Sequence, residues 1–274
     1  MNARIACRNL AVGVVIGAAV ATWTATVSGQ DQGNRVPRTA DDRPNLSGIW
    51  QVMNTANWDI QAHAAKPGPV PALGASFSVP PGLGVVAGNE IPYRPWAAER
   101  KRENAENWVM RDPEVKCYMP GIPRATYMPF PFQIVQSTDT VLMAYEFTTA
   151  SRVIRMNSME KSRAPSWMGW SIGQWNGDTL VVDVTDQMED TWFDRAGNFH
   201  SDALHVVERF TLVDANTIRY EATIEDAKVF TRPWTMRMLL HRHREPNAQL
   251  MEYKCVEFAE ELMYGHLRRQ PDAQ

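Results

Sequence analysis

The chain has 274 residues, a formal net charge of −3 at pH 7 and a hydrophobic fraction of 44%. This length allows one sizeable domain or two small ones, and the hydrophobic fraction is sufficient for an ordinary core. A slightly acidic chain lacks the electrostatic footprint of a nucleic-acid-binding protein, so we expect no nucleic-acid partner.

Residues 1–29 have the order of a secretory signal peptide. Arg4 and Arg8 precede an apolar run of thirteen residues, AVGVVIGAAVATW, and small residues follow it. We place cleavage after Gly29, with Val27 and Gly29 in the small-residue positions, and predict an exported protein, periplasmic or secreted. The alternative is a membrane anchor. The uncharged run is short for a span, so we expect no stable membrane span after cleavage.

Export changes the interpretation of the cysteines. Cys7 leaves with the signal peptide, and Cys117 and Cys255 remain. Two cysteines in an oxidising compartment are more often bonded than free, so we predict a disulfide between them. The alternative is a reactive thiol, but neither cysteine has a nearby histidine in the sequence.

The first part of the mature chain contains one predicted strand and one predicted helix. Residues 44–52, PNLSGIWQV, indicate the strand. Residues 66–96 are so rich in Pro and Gly that they exclude a central strand or a stable helix, and we expect a long surface excursion or a lid. Residues 96–112 are dense in Ala, Glu, Lys and Arg, which predicts a surface helix.

Short β runs with turn signals between them follow the helix. FQIVQSTDTVLMAYEF predicts two strands around a turn, SRVIRM predicts another, and Asn176-Gly177 is a strong hairpin signal. LHVVERFTLVDANTIRYEATIE predicts a further hairpin, and WTMRMLLHRHREPNAQLMEYKCVEF a last one. Eight or nine strands in sequential antiparallel pairs must close to hide their edges. We therefore predict an all-β, mainly antiparallel fold: a lipocalin-like meander barrel, or a strongly curved sheet, with one surface helix.

The mature chain is predicted to form a single domain. This domain spans residues 44–258, after a flexible polar lead-in at residues 30–43. Residues 259–274 are predicted to form a short helix and a frayed tail. The sequence does not indicate an oligomeric state.

Residues 198–210, NFHSDALHVVERF, concentrate histidines and carboxylates. His200 and His205 are five positions apart, a spacing that puts them on different faces of either a helix or a strand. We therefore predict no metal site from this pair. A metal held by loop oxygens and one histidine stays open as an alternative, and its members would be Asp186, Asp190, Asp194 and His200.

The hairpin that follows determines which side chains face inward. A three-residue loop at residues 214–216, with Asn216 in the left-handed conformation, gives both strands one apolar face. Glu208 is the charged residue on that face. If the strand continued upstream, His200 and Asp202 would lie on the same side, and the three side chains would form a buried acid–base site. The alternative is a structural glutamate that pairs with an inward arginine of another strand.

A barrel of about eight strands can enclose one small ligand, so the first functional hypothesis is an enzyme without a cofactor. It would be an isomerase, lyase or hydrolase acting on a small hydrophobic or aromatic molecule. Its catalytic residues would be Glu208, His200 and Asp202, and its ligand contacts would be Trp170, Trp175, Trp192, Phe193, Phe210 and Tyr220. The alternatives are a non-catalytic exported lipocalin-like binding protein that uses the same residues, and a structural partner in the cell envelope that docks through residues 66–96.

Several motifs resemble a large family of exported bacterial proteins whose members mostly have no known function. They are KCYMPGIPR, WMGWSIGQWNGDTLVVDVT, TWFDRAGNFHSDALHVVERF, TIEDAKVFTRPW and LMEYKCVEF. The resemblance implies an exported, mostly β domain with the cysteine pair Cys117 and Cys255, and it supplies no substrate. Where the family has Gly-Asp-Ser or Gly-His-Ser, this chain has Gly169-Trp170-Ser171, so a role of that polar residue would be absent here or filled by another group. The SGIW motif is also similar to the first strand of lipocalin-like barrels.

Overall fold

The computed structural model describes residues 36–267, without the side chains of residues 76 and 77. Its main element is a closed barrel of nine strands, in which each strand pairs with its neighbour in the sequence and the last pairs with the first. The predicted all-β barrel is therefore confirmed. The strands are β1 (Gly48–Val52), β2 (Phe132–Gln136), β3 (Thr140–Tyr145), β4 (Ser151–Met156), β5 (Trp170–Asn176), β6 (Thr179–Thr185), β7 (His205–Asp214), β8 (Thr217–Glu225) and β9 (Trp234–Arg242).

The barrel wall has one short seam, between β4 and β5. These two strands are parallel, whereas the other neighbouring pairs are antiparallel. The pairing joins only Ile154–Met156 to Ser171–Gly173. Residues 151–153 of β4 therefore pair with no residue of β5, and the connecting segment, which leaves β4 after Met156, rejoins the wall there at Trp170.

The β7–β8 hairpin has the predicted faces but a different turn. Leu212 pairs with Ile218 and Asp214 pairs with Thr217, with a register shift between the two pairs. The turn therefore contains two residues, and Val213 is the extra residue of a β-bulge. The prediction of a three-residue loop with a left-handed Asn216 is wrong. The extra residue in β7 shifts the pairing by one position, and this shift keeps the apolar side chains of both strands inward although the turn has only two residues.

The helices are short and are not part of the barrel wall. The predicted surface helix is two helices, with Pro95 in the first turn of the first, where a missing N–H costs nothing. The helices are α1 (Pro95–Glu106), α2 (Trp108–Arg111), α3 (Arg124–Tyr127) and α4 (Ala259–Tyr264). Short 3₁₀ turns occur at Pro71–Phe77, Ala87–Asn89, Pro113–Lys116, Phe147–Thr149 and Gly265–Leu267.

Two further predictions concern segments outside the barrel. The Pro- and Gly-rich residues 66–96 contain 3₁₀ turns and isolated bridges, and none of the nine strands. The predicted last hairpin is wrong: β9 ends at Arg242, and residues 243–258 contain no strand. Pro246 follows the end of β9 closely and has no N–H for a sheet ladder.

Large side chains fill the barrel. Trp50, Phe132, Phe210 and Tyr220 have no solvent-exposed surface. The predicted disulfide between Cys117 and Cys255 is present. Within residues 36–267, no helix is both long and apolar enough to cross a bilayer. The predicted signal peptide at residues 1–29 lies outside the described residues.

Candidate functional site

Glu208 lies in the barrel interior, as the alternation of β7 predicts. It is fully buried, and its Oε1 accepts a hydrogen bond from the Tyr220 hydroxyl at 2.8 Å. Its Oε2 accepts from Nη2 of Arg152, which points inward from β4. Burial alone would lower the pKa of Arg152, but the Glu208 carboxylate outweighs that effect and raises it. This arrangement is the structural alternative, a glutamate paired with an inward arginine of another strand.

Arg152 is only partly satisfied. Its Nε and Nη1 are buried and have no hydrogen-bond partner within residues 36–267. The hydroxyl of Ser171 is likewise buried without a partner among the described residues. A buried donor without an acceptor costs about 1–3 kcal/mol, so the interior ion pair is not optimised for stability.

His200 does not lie above Glu208 on a common strand, because β7 begins at His205. It is buried in the preceding loop, where its Nδ1 donates to the Ser201 carbonyl at 2.9 Å. Burial lowers the pKa of His200, so the imidazole is neutral at pH 7. A neutral ring with Nδ1 as donor accepts at Nε2, here from the Thr191 hydroxyl at 2.6 Å. Both nitrogens are therefore engaged in holding the loop.

Asp202 points into solvent rather than toward the barrel. Its side chain is 61% exposed and forms an ion pair with Lys228. The hydrogen bond from Lys228 lowers the pKa of Asp202, so the carboxylate is charged at neutral pH. No hydrogen bond or ion pair joins Asp202, His200 and Glu208, and the structure does not bring the three predicted catalytic residues together.

The six aromatic residues predicted to contact a ligand divide into two groups. Phe193, Phe210 and Tyr220 are buried and pack in the core; the rings of Phe210 and Tyr220 are 5.0 Å apart. The other three are partly exposed: Trp175 lies 6.0 Å from the Arg43 guanidinium, while Trp170 and Trp192 each line a different surface cavity. The cavities, rather than the packed interior, are the candidate ligand sites.

The open alternative of a loop metal has no cluster to support it. Within residues 36–267, no group of three or more His, Cys, Asp and Glu side chains is placed to hold a metal ion. Asp186 and Asp190 are exposed, whereas Asp194 is buried, accepting from the Ile60 amide at 2.9 Å and from Asn198 Nδ2 at 2.6 Å. Burial, with a contribution from the Asp59 charge, raises the pKa of Asp194 to about 7. Asp194 thus anchors the loop from within, although acidic residues of polar loops are usually solvated.

The first cavity, which we call the seam cavity, opens where β4 and β5 separate. Its volume is about 970 Å³, and residues 160–170 form one side of it. Trp170 is fixed in its wall by a hydrogen bond from its Nε1 to the Glu160 carbonyl at 3.0 Å. The Arg155 guanidinium stacks on the Trp170 ring at 3.8 Å, and the Trp167 ring lies 4.7 Å from that of Tyr118.

The second cavity, which we call the α1 cavity, lies between helix α1 and the loop that carries His200 and Trp192. Its volume is about 590 Å³. Residues 111–118 form its third side. Of the predicted catalytic residues, His200 lines this cavity.

Sequence reasoning missed a buried charge network between the loops. Arg124 donates to both oxygens of Asp112, at 2.7 and 2.9 Å, and to Glu114 at 2.7 Å. Arg195 makes two bonds to Glu114, each 2.8 Å. Burial would raise the pKa of Glu114, but the two arginines outweigh that effect and lower it to about 2. These residues lie in loops, a 3₁₀ turn and the four-residue helix α3, segments too short or irregular for hydrophobic periodicity to mark an inward position.

No protein-family model matches this chain, and no curated protein matches it. The resemblance to exported bacterial proteins therefore stays a prediction.

Proposed function

We propose that this protein is an exported, lipocalin-like binding protein that holds a small amphipathic molecule in the seam cavity. The observation that carries this proposal is the cavity itself. Its volume of about 970 Å³ is at the upper end of the usual range for small-molecule sites. Trp170, one of the predicted ligand contacts, forms part of its wall.

The lining of the seam cavity favours a ligand with a flat apolar body. Trp167, Met168 and Trp170 supply apolar surface, and Met119 closes one side. Aromatic and thioether side chains adapt well to planar apolar ligands. The ligand would therefore be hydrophobic or aromatic over most of its length.

The charges of the seam cavity favour an acidic group on that ligand. Lys161 and Arg163 line it and form no ion pair with another described residue, and Arg155 pairs with Glu160 at 3.7 Å. Arg152 also lines the cavity, but Glu208 compensates its charge. The other three cations face one carboxylate, an excess of positive charge that attracts an anion. The even-numbered residues of β4 make the backbone hydrogen bonds to β3, so the backbone groups of the odd-numbered residues point toward the side of β5. The amide N–H of Val153, beyond the short pairing with β5, is therefore a further donor for the ligand.

Catalysis by Glu208, His200 and Asp202 has less support. The oxygens of Glu208 and the nitrogens of His200 are occupied by neighbours of the same chain. A general base must reach the proton that it abstracts, and in this arrangement each would first have to lose a structural bond. A cofactor-independent enzyme stays the second hypothesis, and the envelope partner that docks through residues 66–96 stays the third.

Export is supported by the order of residues 1–29 and by the disulfide, which persists in oxidising compartments. We expect the mature protein to begin at Gln30. Expression in a diderm host, followed by cell fractionation and amino-terminal sequencing of the recovered protein, tests this expectation. Recovery of the uncleaved chain in the cytoplasm would contradict it.

Ligand binding is tested with 1-anilinonaphthalene-8-sulfonate, an aromatic sulfonate of the proposed chemistry, in fluorescence titrations of the folded protein. We expect Trp170→Ala to weaken binding at least tenfold, because the ring forms part of the cavity wall. The matched control is Trp175→Ala, on the same strand but outside the cavity, which should change the affinity less than twofold.

Equal losses in the two variants, or no binding by the unaltered protein, would contradict the proposal. Far-ultraviolet circular dichroism checks that both variants fold. Mass spectrometry of small molecules that co-purify with the protein then identifies the natural ligand, which should carry an acidic group on an apolar body.

A further inference from the structure

The α1 cavity is separate from the seam cavity, and its lining has a different chemistry. The aromatic residues Trp96, Tyr118, Trp192 and Phe199 line it together with charged side chains of both signs. None of these charges belongs to the Arg124 network or to the barrel interior.

The loop side of the α1 cavity is held rigidly against the helix. Gly197 has φ of +82°, and a Cβ at this position would lie 2.6 Å from the Ala105 amide and from the Lys101 carbonyl. The loop backbone therefore rests directly on the helix backbone. Asn104 adds a hydrogen bond from its Nδ2 to the Gly197 carbonyl at 3.4 Å.

The third side of the α1 cavity is fixed by the disulfide. Lys116 and Tyr118 flank Cys117, which is bonded to Cys255. Such a cross-link restricts the movement of the two residues beside it. A cavity with all three sides anchored is preorganised, which reduces the entropy that binding must offset.

Two rings of the α1 cavity are unusually exposed for their type. Trp96 is 52% and Tyr118 is 39% exposed. Both are supported by other rings: Trp96 meets Phe199 edge-on at 6.0 Å, and Tyr118 packs on Trp167 at 4.7 Å. An exposed ring that its neighbours hold in place offers a ligand a fixed apolar platform.

The charges around these platforms balance. Three cations and three carboxylates line the cavity, and they are Arg100, Arg111, Lys116, Glu103, Glu189 and Asp190. Balanced charge gives no net attraction to an ionic ligand. A purely apolar ligand would displace the water that these ions bind and would offer them no hydrogen bonds in return, which is unfavourable. The cavity therefore fits a neutral ligand with both an apolar face and many donors and acceptors.

We propose that the α1 cavity binds a neutral oligosaccharide. A pyranose ring has a face of C–H groups that can stack on Trp96 or Tyr118, and hydroxyls that both donate and accept. Carboxylates such as Glu189 and Asp190 accept from these hydroxyls, and Arg100 and Lys116 donate to them. The two cavities have no lining residue in common, and this proposal does not rest on the function proposed for the seam cavity.

The test is isothermal titration of the full mature protein, disulfide intact, with cellohexaose, maltohexaose and xylohexaose. We expect at least one of the three to bind. Trp96→Ala should weaken that binding at least tenfold, because it removes a platform, while Trp175→Ala, outside the cavity, should change it less than twofold.

A second variant keeps the test decisive if Trp96→Ala alters the helix. Gly197→Ala should push the loop away from α1 and weaken oligosaccharide binding, while leaving the binding of 1-anilinonaphthalene-8-sulfonate in the seam cavity intact. Absence of binding to all three sugars, or binding that Trp96→Ala and Gly197→Ala leave unchanged, would overturn the proposal. Loss of sulfonate binding alone would bear only on the function proposed for the seam cavity.

Discussion

Arg124 and Arg152 are both buried, yet their surroundings differ. Arg124 uses all three nitrogens: Nε donates to Asn57 at 2.9 Å, and the two Nη atoms donate to Asp112 and Glu114. Arg152 donates to Glu208 through Nη2, whereas its Nε and Nη1 have no hydrogen-bond partner in the part of the chain that the structure describes. Arg124 is the first residue of α3 and binds carboxylates that lie outside the sheet, whereas Arg152 belongs to β4 and binds Glu208 in the barrel interior.

The contrast separates two uses of a buried charge. The Arg124 network joins segments that no sheet ladder connects, so its side-chain hydrogen bonds hold these segments together. The Arg152–Glu208 pair spans strands that the barrel already holds. A partly satisfied ion pair in a packed core is weak evidence of stabilisation, because desolvation offsets much of the attraction. We therefore expect the two arginines to respond differently to substitution.

The largest effect should come from Arg124→Met. It leaves Asp112 and Glu114 buried near each other without their shared cation, and removal of one partner of a buried pair costs about 3–5 kcal/mol. With two carboxylates affected, we expect a loss near 5 kcal/mol in the free energy of unfolding. Urea denaturation at pH 7 measures it.

The control for this variant is Arg38→Met. Arg38 forms an equally short ion pair, 2.7 Å to Asp178, but both side chains are exposed. Solvent screens such a pair, so the unfolding midpoint should not move measurably. A loss of similar size in both variants would contradict this expectation. It would show that the distance between the charges, rather than their burial and the number of hydrogen bonds they make, determines how much an ion pair stabilises the fold.

The barrel interior should give a smaller and partly reversible effect. Glu208→Gln leaves Arg152 buried without a countercharge, and we expect a loss of about 3 kcal/mol. Adding Arg152→Met removes the stranded charge together with its unpaired donors. The double variant should therefore be more stable than Glu208→Gln alone.

A double-mutant cycle over the two interior positions measures this coupling. If the double variant lost the sum of the two single losses, the pair would act as two independent residues, and the contrast with Arg124 would disappear. The same Glu208→Gln variant bears on the enzyme hypothesis, which predicts loss of turnover with ligand affinity retained.

These two regions also mark what the sequence can predict. Glu208 is predicted to face inward because β7 and β8 alternate with period two, and only one register gives an apolar face. Arg152 is accessible to the same reasoning: in SRVIRM it shares a face with Ile154 and Met156, which are buried. Their pairing across the barrel is not predictable, because it depends on closure between strands 56 residues apart.

The Arg124 network and Asp194 were out of reach for a different physical reason. Their residues lie in loops, a 3₁₀ turn and the single helical turn of α3, segments too short or irregular for a period of two or 3.6 to assign a side chain to a face. A carboxylate in a polar loop is usually solvated. Asp194 departs from that rule because the loop folds inward and supplies the amide donors of Ile60 and Asn198.

The smallest effects should come from the two histidines of one segment, and their signs should be opposite. His205 lies on the outer wall; partial burial opposes its charge, but hydrogen bonds to Asp183 and Glu225 outweigh that and raise its pKa. Burial lowers the pKa of His200 instead. The stabilisation by His205 is therefore complete below the unfolded pKa of about 6.5 and is lost as the pH rises through the folded pKa. The stabilisation by His200 has the opposite dependence: it is complete above about pH 6.5 and is lost as the pH falls below that value.

Replacing each histidine with Gln tests these signs. The loss of unfolding free energy in His205→Gln, under about 1 kcal/mol for a partly exposed pair, should be greatest at pH 5.5 and absent at pH 9. Urea denaturation of the unaltered protein and the two variants at pH 5.5, 7 and 9 gives the comparison. For His200→Gln, the pH-dependent part of the loss of unfolding free energy should be smallest at pH 5.5 and rise toward pH 9. A His205→Gln loss that grows with pH would mean that Asp183 and Glu225 do not stabilise the imidazolium. The ion pairs of His205 on the outer wall would then resemble the Arg152–Glu208 pair in the interior, where contact between opposite charges does not by itself show that the pair stabilises the fold.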